Sequence, residues 1–161
     1  MRFALGAGIN YWATDYSQRF KFGPAAWGSM ELWHGLGLIA EGHSLLAGGD
    51  LPDYSYVVGE GGLVYTAHRW SRFEPFVKAE AGFGSMTVPR FGTFATHYTR
   101  TTYALGGGLE HHLGGPLFAR ADYTYDWFPQ FVSPVTLQAH SLNPNGLTLG
   151  VSVRLVRRGF R

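Results

Sequence analysis

The chain has 161 residues, with 13 Lys and Arg side chains against 11 Asp and Glu, a net charge of +2 that is too balanced for a nucleic-acid binder. Charged residues make up 15% of the chain while glycine reaches 23 residues and aromatics 16%; soluble domains carry about 25% charged residues, and so apolar a composition excludes a disordered chain. There is no cysteine, which excludes disulfide frameworks and thiolate metal sites, and no apolar run approaches the ~18 residues of a membrane-crossing helix.

The dominant pattern along the chain is alternation with period two, the spacing of a strand with two unlike faces. At the N-terminus Phe3, Leu5, Ala7, Ile9 and Tyr11 alternate with Ala4, Gly6, Gly8 and Asn10. Weaker segments follow at Trp27 to Trp33, Leu36 to Leu46 and Tyr54 to His68. From Pro75 the alternation sharpens, with Val77, Ala79, Ala81 and Phe83 opposite Phe76, Lys78, Glu80, Gly82 and Gly84. Tyr103, Leu105, Gly107 and Leu109 then oppose Arg100, Thr102, Gly106, Gly108 and Glu110. Leu117 to Trp127 sets apolar and aromatic residues against Arg120, Asp122, Thr124 and Asp126. The last segment sets Leu147, Leu149, Val151, Val153 and Leu155 against Thr148, Gly150, Ser152 and Arg154. These patterns predict eight strands, at 2–12, 26–33, 36–46, 54–68, 74–86, 98–112, 116–127 and 145–156. Short connections (His34-Gly35, Arg69 to Phe73, Leu113 to Gly115) alternate with long ones (Ala13 to Ala25, Ala47 to Asp53, Thr87 to His97, Phe128 to Pro144). Strict alternation of short turns and long loops is expected of an all-β, eight-stranded antiparallel up-and-down barrel. A sandwich does not require it. Residues 1–156 form the barrel domain in this reading, and 157–161 a short basic tail.

Periodicity does not say which face points in. Ionisable residues gather on one face: Glu31, Glu41, Lys78, Glu80, Glu110, Arg120, Asp122 and Arg154. That face is also rich in glycine, which suits a crowded interior of a small barrel. A solvated face would carry more Lys and Glu. Tyr11, Tyr103, Tyr123, Tyr125 and Trp127 lie near strand ends on the apolar face, with Trp12, Trp27, Trp33 and Trp70 close to other ends. Rings with a polar edge favour a membrane–water boundary. The reading is therefore a transmembrane barrel with the ions inside, and the named charges are expected to form a salt-bridged network filling the lumen. A soluble lipocalin-like, ligand-binding barrel is the inverse assignment. The barrel reading expects a leader removed from, or lying outside, this sequence.

Several stretches resemble the OmpA-like, porin-like family of small outer-membrane β-barrels. They are Phe73-Glu74-Pro75-Phe76-Val77-Lys78-Ala79 followed by Gly82-Phe83-Gly84, Ala104-Leu105-Gly106-Gly107-Gly108-Leu109-Glu110, Arg120-Ala121-Asp122-Tyr123, and the run Asn145 to Leu155. Thr148, Gly150, Val153 and Leu155 match the spacing of the family's terminal-strand signal for the barrel assembly machinery. The family's strands usually end in an aromatic residue; here Leu155 ends the strand, and Phe160 is not terminal. The resemblance implies a bacterial outer-membrane location, outer-membrane lipid and lipopolysaccharide as surroundings, a monomer, and no cofactor.

Candidate chemistry is sparse. His111 and His112 point to opposite faces, so they do not chelate one metal, and no metal site is expected. Lipid A-modifying enzymes use this fold, some with His and Ser two apart on a strand. His43-Ser44 and His140-Ser141 are adjacent instead, and His97-x-Thr99 offers only the weaker nucleophile. The expectation is therefore a non-enzyme: structural, adhesive or narrowly porin-like. A lipid A-modifying enzyme is the alternative on the same fold. The long loops hold Tyr16, Arg19, Phe20, Lys21 and Phe22, then Arg90, Phe91 and Phe94, then Phe131, Pro129, Pro134 and Pro144. They are expected at the extracellular rim.

Overall fold

Residues 2–13, 20–45, 55–67, 72–89, 95–132 and 139–156 are described by the computed structural model. They form β1 (Arg2–Ala13), β2 (Phe20–Trp33), β3 (Leu36–Leu45), β4 (Ser55–Thr66), β5 (Phe73–Pro89), β6 (Ala95–Gly114), β7 (Leu117–Val132), β8 (Ala139–Leu142) and β9 (Asn145–Val156). Each of β1 to β7 pairs antiparallel with the next. β9 pairs with both β7 and β1, the latter from Arg2↔Val156 to Ala13↔Asn145, and this closes the sheet on itself. The short β8 pairs with the upper part of β7 and is divided from β9 only by Asn143-Pro144. Nine segments thus build eight staves of a closed all-antiparallel barrel. Closure leaves the body of the sheet without an edge.

Local chemistry fixes the short-turn rim. His34 and Gly35 both take positive φ, 45° and 89°, and close the two-residue turn between Trp33 and Leu36. Such turns match the natural twist of the flanking strands. At the β6–β7 turn Gly114 and Gly115 carry positive φ, ahead of Pro116. Chain direction then places Ala13, Phe20, Leu45, Ser55, Pro89 and Ala95 at the opposite, long-connection rim. The connecting residues there, 14–19, 46–54, 90–94 and 133–138, lie outside the described residues, as do Trp70 and the tail 157–161.

The predicted strand count and faces hold, but several boundaries do not. β2 begins at Phe20, not at residue 26. Gly23 and Pro24 suggest a turn, yet Pro24 pairs with Ile9, and the β2–β3 ladder starts only at Ala25↔His43. A proline lacking N–H is tolerated where pairing is one-sided. β5 and β6 likewise run on to Pro89↔Ala95. The stretch from Phe128 also contains strand, as the end of β7 and as β8. What reads as loop is in part strand standing beyond the barrel body.

Candidate functional site

Outward positions carry the apolar residues. Leu149 and Val151 are 53% and 55% exposed, Ile9 63% and Leu105 68%. Inward positions carry the charge: Lys78 and Arg120 are each 4% exposed, and Asp126 is 0%. Among the described residues every Asp and Glu turns inward, on parity with a buried neighbour or in an ion pair. This is a soluble barrel turned inside out. A lipocalin-like protein would need Glu80 and Arg120 in water and Leu149 in the centre, so that alternative is overturned.

The lumen is filled in layers. At mid-height Lys78 reaches across the barrel to Glu41 and also faces Glu80 at 3.2 Å and Asp122 at 3.3 Å. Arg120 donates from Nε to Asp122 at 2.8 Å and from Nη2 to Glu41. Thr124 donates to the other oxygen of Asp122 at 3.2 Å. The Arg120 guanidinium stacks on the rings of Trp27 and Phe76, 4.6 and 4.7 Å from their centroids. A planar cation held by two carboxylates and two rings keeps most of the stabilisation it loses with its water. Nearer the short-turn rim, Arg154 donates to Glu74 at 2.5 Å and to Glu110, with Phe118 beneath it at 3.9 Å. Arg2 and Glu31 pair loosely at 3.7 Å, and Glu31 also accepts from the Gly35 amide at 3.1 Å. Arg2, Glu31, Glu110, Arg120 and Arg154 share a cavity of about 40 Å³ at this end.

Towards the long-connection rim the lumen turns apolar. Trp12, Leu45, Tyr56, Val58, Phe128 and Leu142 form one buried cluster. His43 stacks on Trp12 with centroids 4.4 Å apart, and lies 3.9 Å from Asp126. Tyr56 donates to Asp126 at 3.2 Å, and Thr102 donates to Glu60. A second apolar patch, Ile39, Val64 and Phe76, sits lower.

The inward glycines exist to admit these large groups. A methyl at Gly6 or Gly150 would overlap the Trp27 ring, one at Gly84 the Phe128 ring, and one at Gly106 the Lys78 stem. Trp27 therefore lies flat on β1 and β9 with Arg120 on its other face.

Glu31, Glu41, Lys78, Glu80, Glu110, Arg120, Asp122 and Arg154 all face the lumen, though in two clusters rather than one. Arg2, Glu74, Glu60, Asp126 and His43 join them; of these, sequence reading set Asp126 on the polar face of its strand without naming it in the network, and missed the others. Each shares the parity of a named charge on its own strand or its neighbour's, so parity was the available signal. Trp12 and Trp27 fill the lumen at 1% and 4% exposure and do not belong to the outer aromatic band. Trp33, Tyr103, Tyr123, Tyr125 and Trp127 do face outward. Of the terminal-strand residues, Thr148 and Gly150 turn inward and Val153 and Leu155 outward. Among the described residues no group of three or more His, Asp or Glu side chains is arranged to hold a metal.

No protein-family model and no curated protein sequence matches the chain. Solved structures do match its fold. Neisserial surface protein A superposes with a TM-score of 0.73 at 12% identity, covering 94% of this chain and 95% of that one. Ail, the attachment invasion locus protein of Yersinia pestis, gives 0.64 at 17% identity over 96% and 98% of the two chains. The outer membrane protein OprG of Pseudomonas aeruginosa gives 0.65 at 10% identity over 96% and 95%. The fold is thus that of the small eight-stranded outer-membrane β-barrels.

Proposed function

We propose that the protein is a non-enzymatic β-barrel of the bacterial outer membrane, with a plugged lumen, serving a structural or adhesive role. The observation that carries this is the inverted polarity: an apolar wall around a network of buried ion pairs. Water gives no reason to expose Leu149, Val151 and Leu105 while burying Lys78 and Arg120, whereas lipid does. In lipid every backbone group must be satisfied internally, and a closed barrel is the sheet structure that achieves this. Strands of 10 residues or more (β3 is 10, β9 is 12) suffice for a tilted crossing, which takes about 9–11 residues.

The layered lumen argues for structure or adhesion over transport. Lys78 and Arg120 bridge it at mid-height, and the Trp12–Phe128 cluster closes it above. The adhesive side of the reading draws on fold likeness to an attachment and invasion protein and on the strands that stand beyond the barrel at one rim. That rim is assigned to the extracellular side and the short turns to the periplasm, the usual arrangement in such barrels. Lipopolysaccharide is then the outer-leaflet neighbour, and β9, with Thr148, Gly150, Val153 and Leu155, is the strand offered to the assembly machinery. The lipid A-modifying alternative has no supporting geometry among the described side chains. The test is refolding into detergent and vesicles. A folded barrel migrates differently on a gel before and after boiling, and its strands resist protease in vesicles. A monomer stable in plain buffer without detergent would overturn the reading.

A further inference from the structure

β5 and β6 stay paired from Phe73↔His111 up to Pro89↔Ala95. β6 and β7 separate much earlier, at Tyr103↔Trp127. The cause is legible in β7. Continuing the same register would set Thr101 opposite Pro129, which has no N–H to give. On its other edge β7 carries the β9 line of pairing on into β8, with a register shift between Phe128 and Phe131, so β8 does not replace β6. Residues Ala95 to Thr102 are therefore paired with β5 on one side and, among the described residues, with nothing on the other. In an antiparallel strand every second residue aims both its N–H and its C=O to a given side. The free edge is about 27 Å long at a rise of about 3.4 Å per residue.

This edge stands in water, not in lipid. Open edges do not occur in the hydrocarbon layer, so the layer must end at or below the last β6–β7 pair. Tyr103 and Trp127, which form that pair, face outward with ring centroids 5.8 Å apart, as interfacial aromatics do. Above them the outer face of β6 changes from Leu105 and Tyr103 to the exposed Thr101 and Thr99. Arg100, on the same face of β6 as Thr102, is exposed above the barrel body and has no ion-pair partner among the described residues, unlike Lys78, Arg120 and Arg154.

We propose that the Ala95–Thr102 edge of β6 docks an extended, acidic segment of another protein, which joins the sheet as an added strand and sets a carboxylate against Arg100. Main-chain hydrogen bonds supply the affinity in such augmentation, and side chains supply the choice of partner. A second copy is a poor occupant. Two barrels upright in one membrane run their β6 strands in the same direction, so only a parallel edge pair is open to them, and it would bring two Arg100 side chains to the same height. The siting of this edge rests on the membrane reading; its pairing state does not.

The experiment uses the full chain in lipid nanodiscs and a fluorescent eight-residue probe that alternates threonine and valine around a central glutamate. Saturable binding is expected by anisotropy, with none to empty nanodiscs. N-methylation of alternate amides along one edge of the probe should raise Kd about tenfold or more, and methylation along the other edge should leave it within about twofold. Arg100→Glu should weaken the probe about fivefold or more and favour a lysine-centred probe instead. Absence of binding, equal loss from methylating either edge, or equal binding by the lysine-centred probe to the native chain would each overturn the proposal. A chain that fails to enter nanodiscs at all would instead sink the membrane reading and the siting with it.

Discussion

Lys78→Met offers the sharpest test of the lumen. Lys78 faces three carboxylates, but they do not depend on it equally. Glu41 keeps Arg120, and Asp122 keeps Arg120 and Thr124. Glu80, 5% exposed, has Lys78 at 3.2 Å as its ion partner and no other among the described residues. Removing one partner of a buried ion pair costs about 3–5 kcal/mol, because the abandoned charge stays desolvated. Lys78→Met should therefore lose about that much stability, most of it located at Glu80. Adding Glu80→Gln should recover more than half of the loss, since the amide needs no counter-ion. Adding Glu41→Gln should recover little, because it removes a carboxylate that Arg120 still holds. The measurement is urea unfolding in vesicles of the native chain, the three single variants and the two doubles, analysed as two double-mutant cycles. A loss below about 1 kcal/mol for Lys78→Met, or equal rescue by the two glutamines, would refute the idea that Glu80 depends on Lys78 while Glu41 does not.

Val151→Arg, at the middle of the outer wall, should cost about 2–4 kcal/mol in vesicle unfolding, while Leu155→Arg near the short-turn rim should cost about 0–1 kcal/mol; equal costs would contradict the placement of the membrane. Gly108→Ala should destabilise by about 1–3 kcal/mol, because its methyl would overlap the Ala121 carbonyl and Asp122 in a filled interior. Gly59→Ala points outward with nothing within 4 Å and should be neutral or gain up to about 1 kcal/mol, readable in the same assay. Trp12→Ala, which empties the upper apolar cluster, should cost about 3–5 kcal/mol and lower the temperature at which the folded gel band is lost.

The alternation of side-chain types was enough to read the barrel, because facing is a local property of a strand. Leu147 to Leu155 shows it without help from the rest of the chain. Which side was lipid took a second argument, from glycine beside charge, and the overlap of Gly6, Gly106 and Gly150 with Trp27 and Lys78 gives that argument its physical basis. The interior was less legible. Ile39, Val58 and Val64 point inward, but their type is the same as that of the wall residues beside them, so composition could not separate the two. Trp12 and Trp27 look like boundary rings by position along the strand, and only their parity with Asn10 and Ser29 marks them as lumen residues. Partner choice was beyond sequence altogether. Glu41 meets Lys78 and Arg120 from strands far away in the chain, a consequence of closure and register, not of spacing.

The wall and the rim follow from one constraint applied in two media. Where lipid surrounds the sheet, an unpaired amide has no partner to turn to, so the eight staves must pair on both sides up to the boundary. Where water surrounds it, an unpaired amide is solvated, and the chain is free to let strands diverge. Pro129 sits just beyond the Tyr103↔Trp127 pair. Placed two residues lower, at Trp127, a proline would withhold an N–H inside the closed sheet with no water to replace it. Placed where it is, it releases β7 from β6 at the point where release becomes affordable. The position of one proline relative to one aromatic pair thus decides both how high the barrel remains closed and how much of β6 is left open above it.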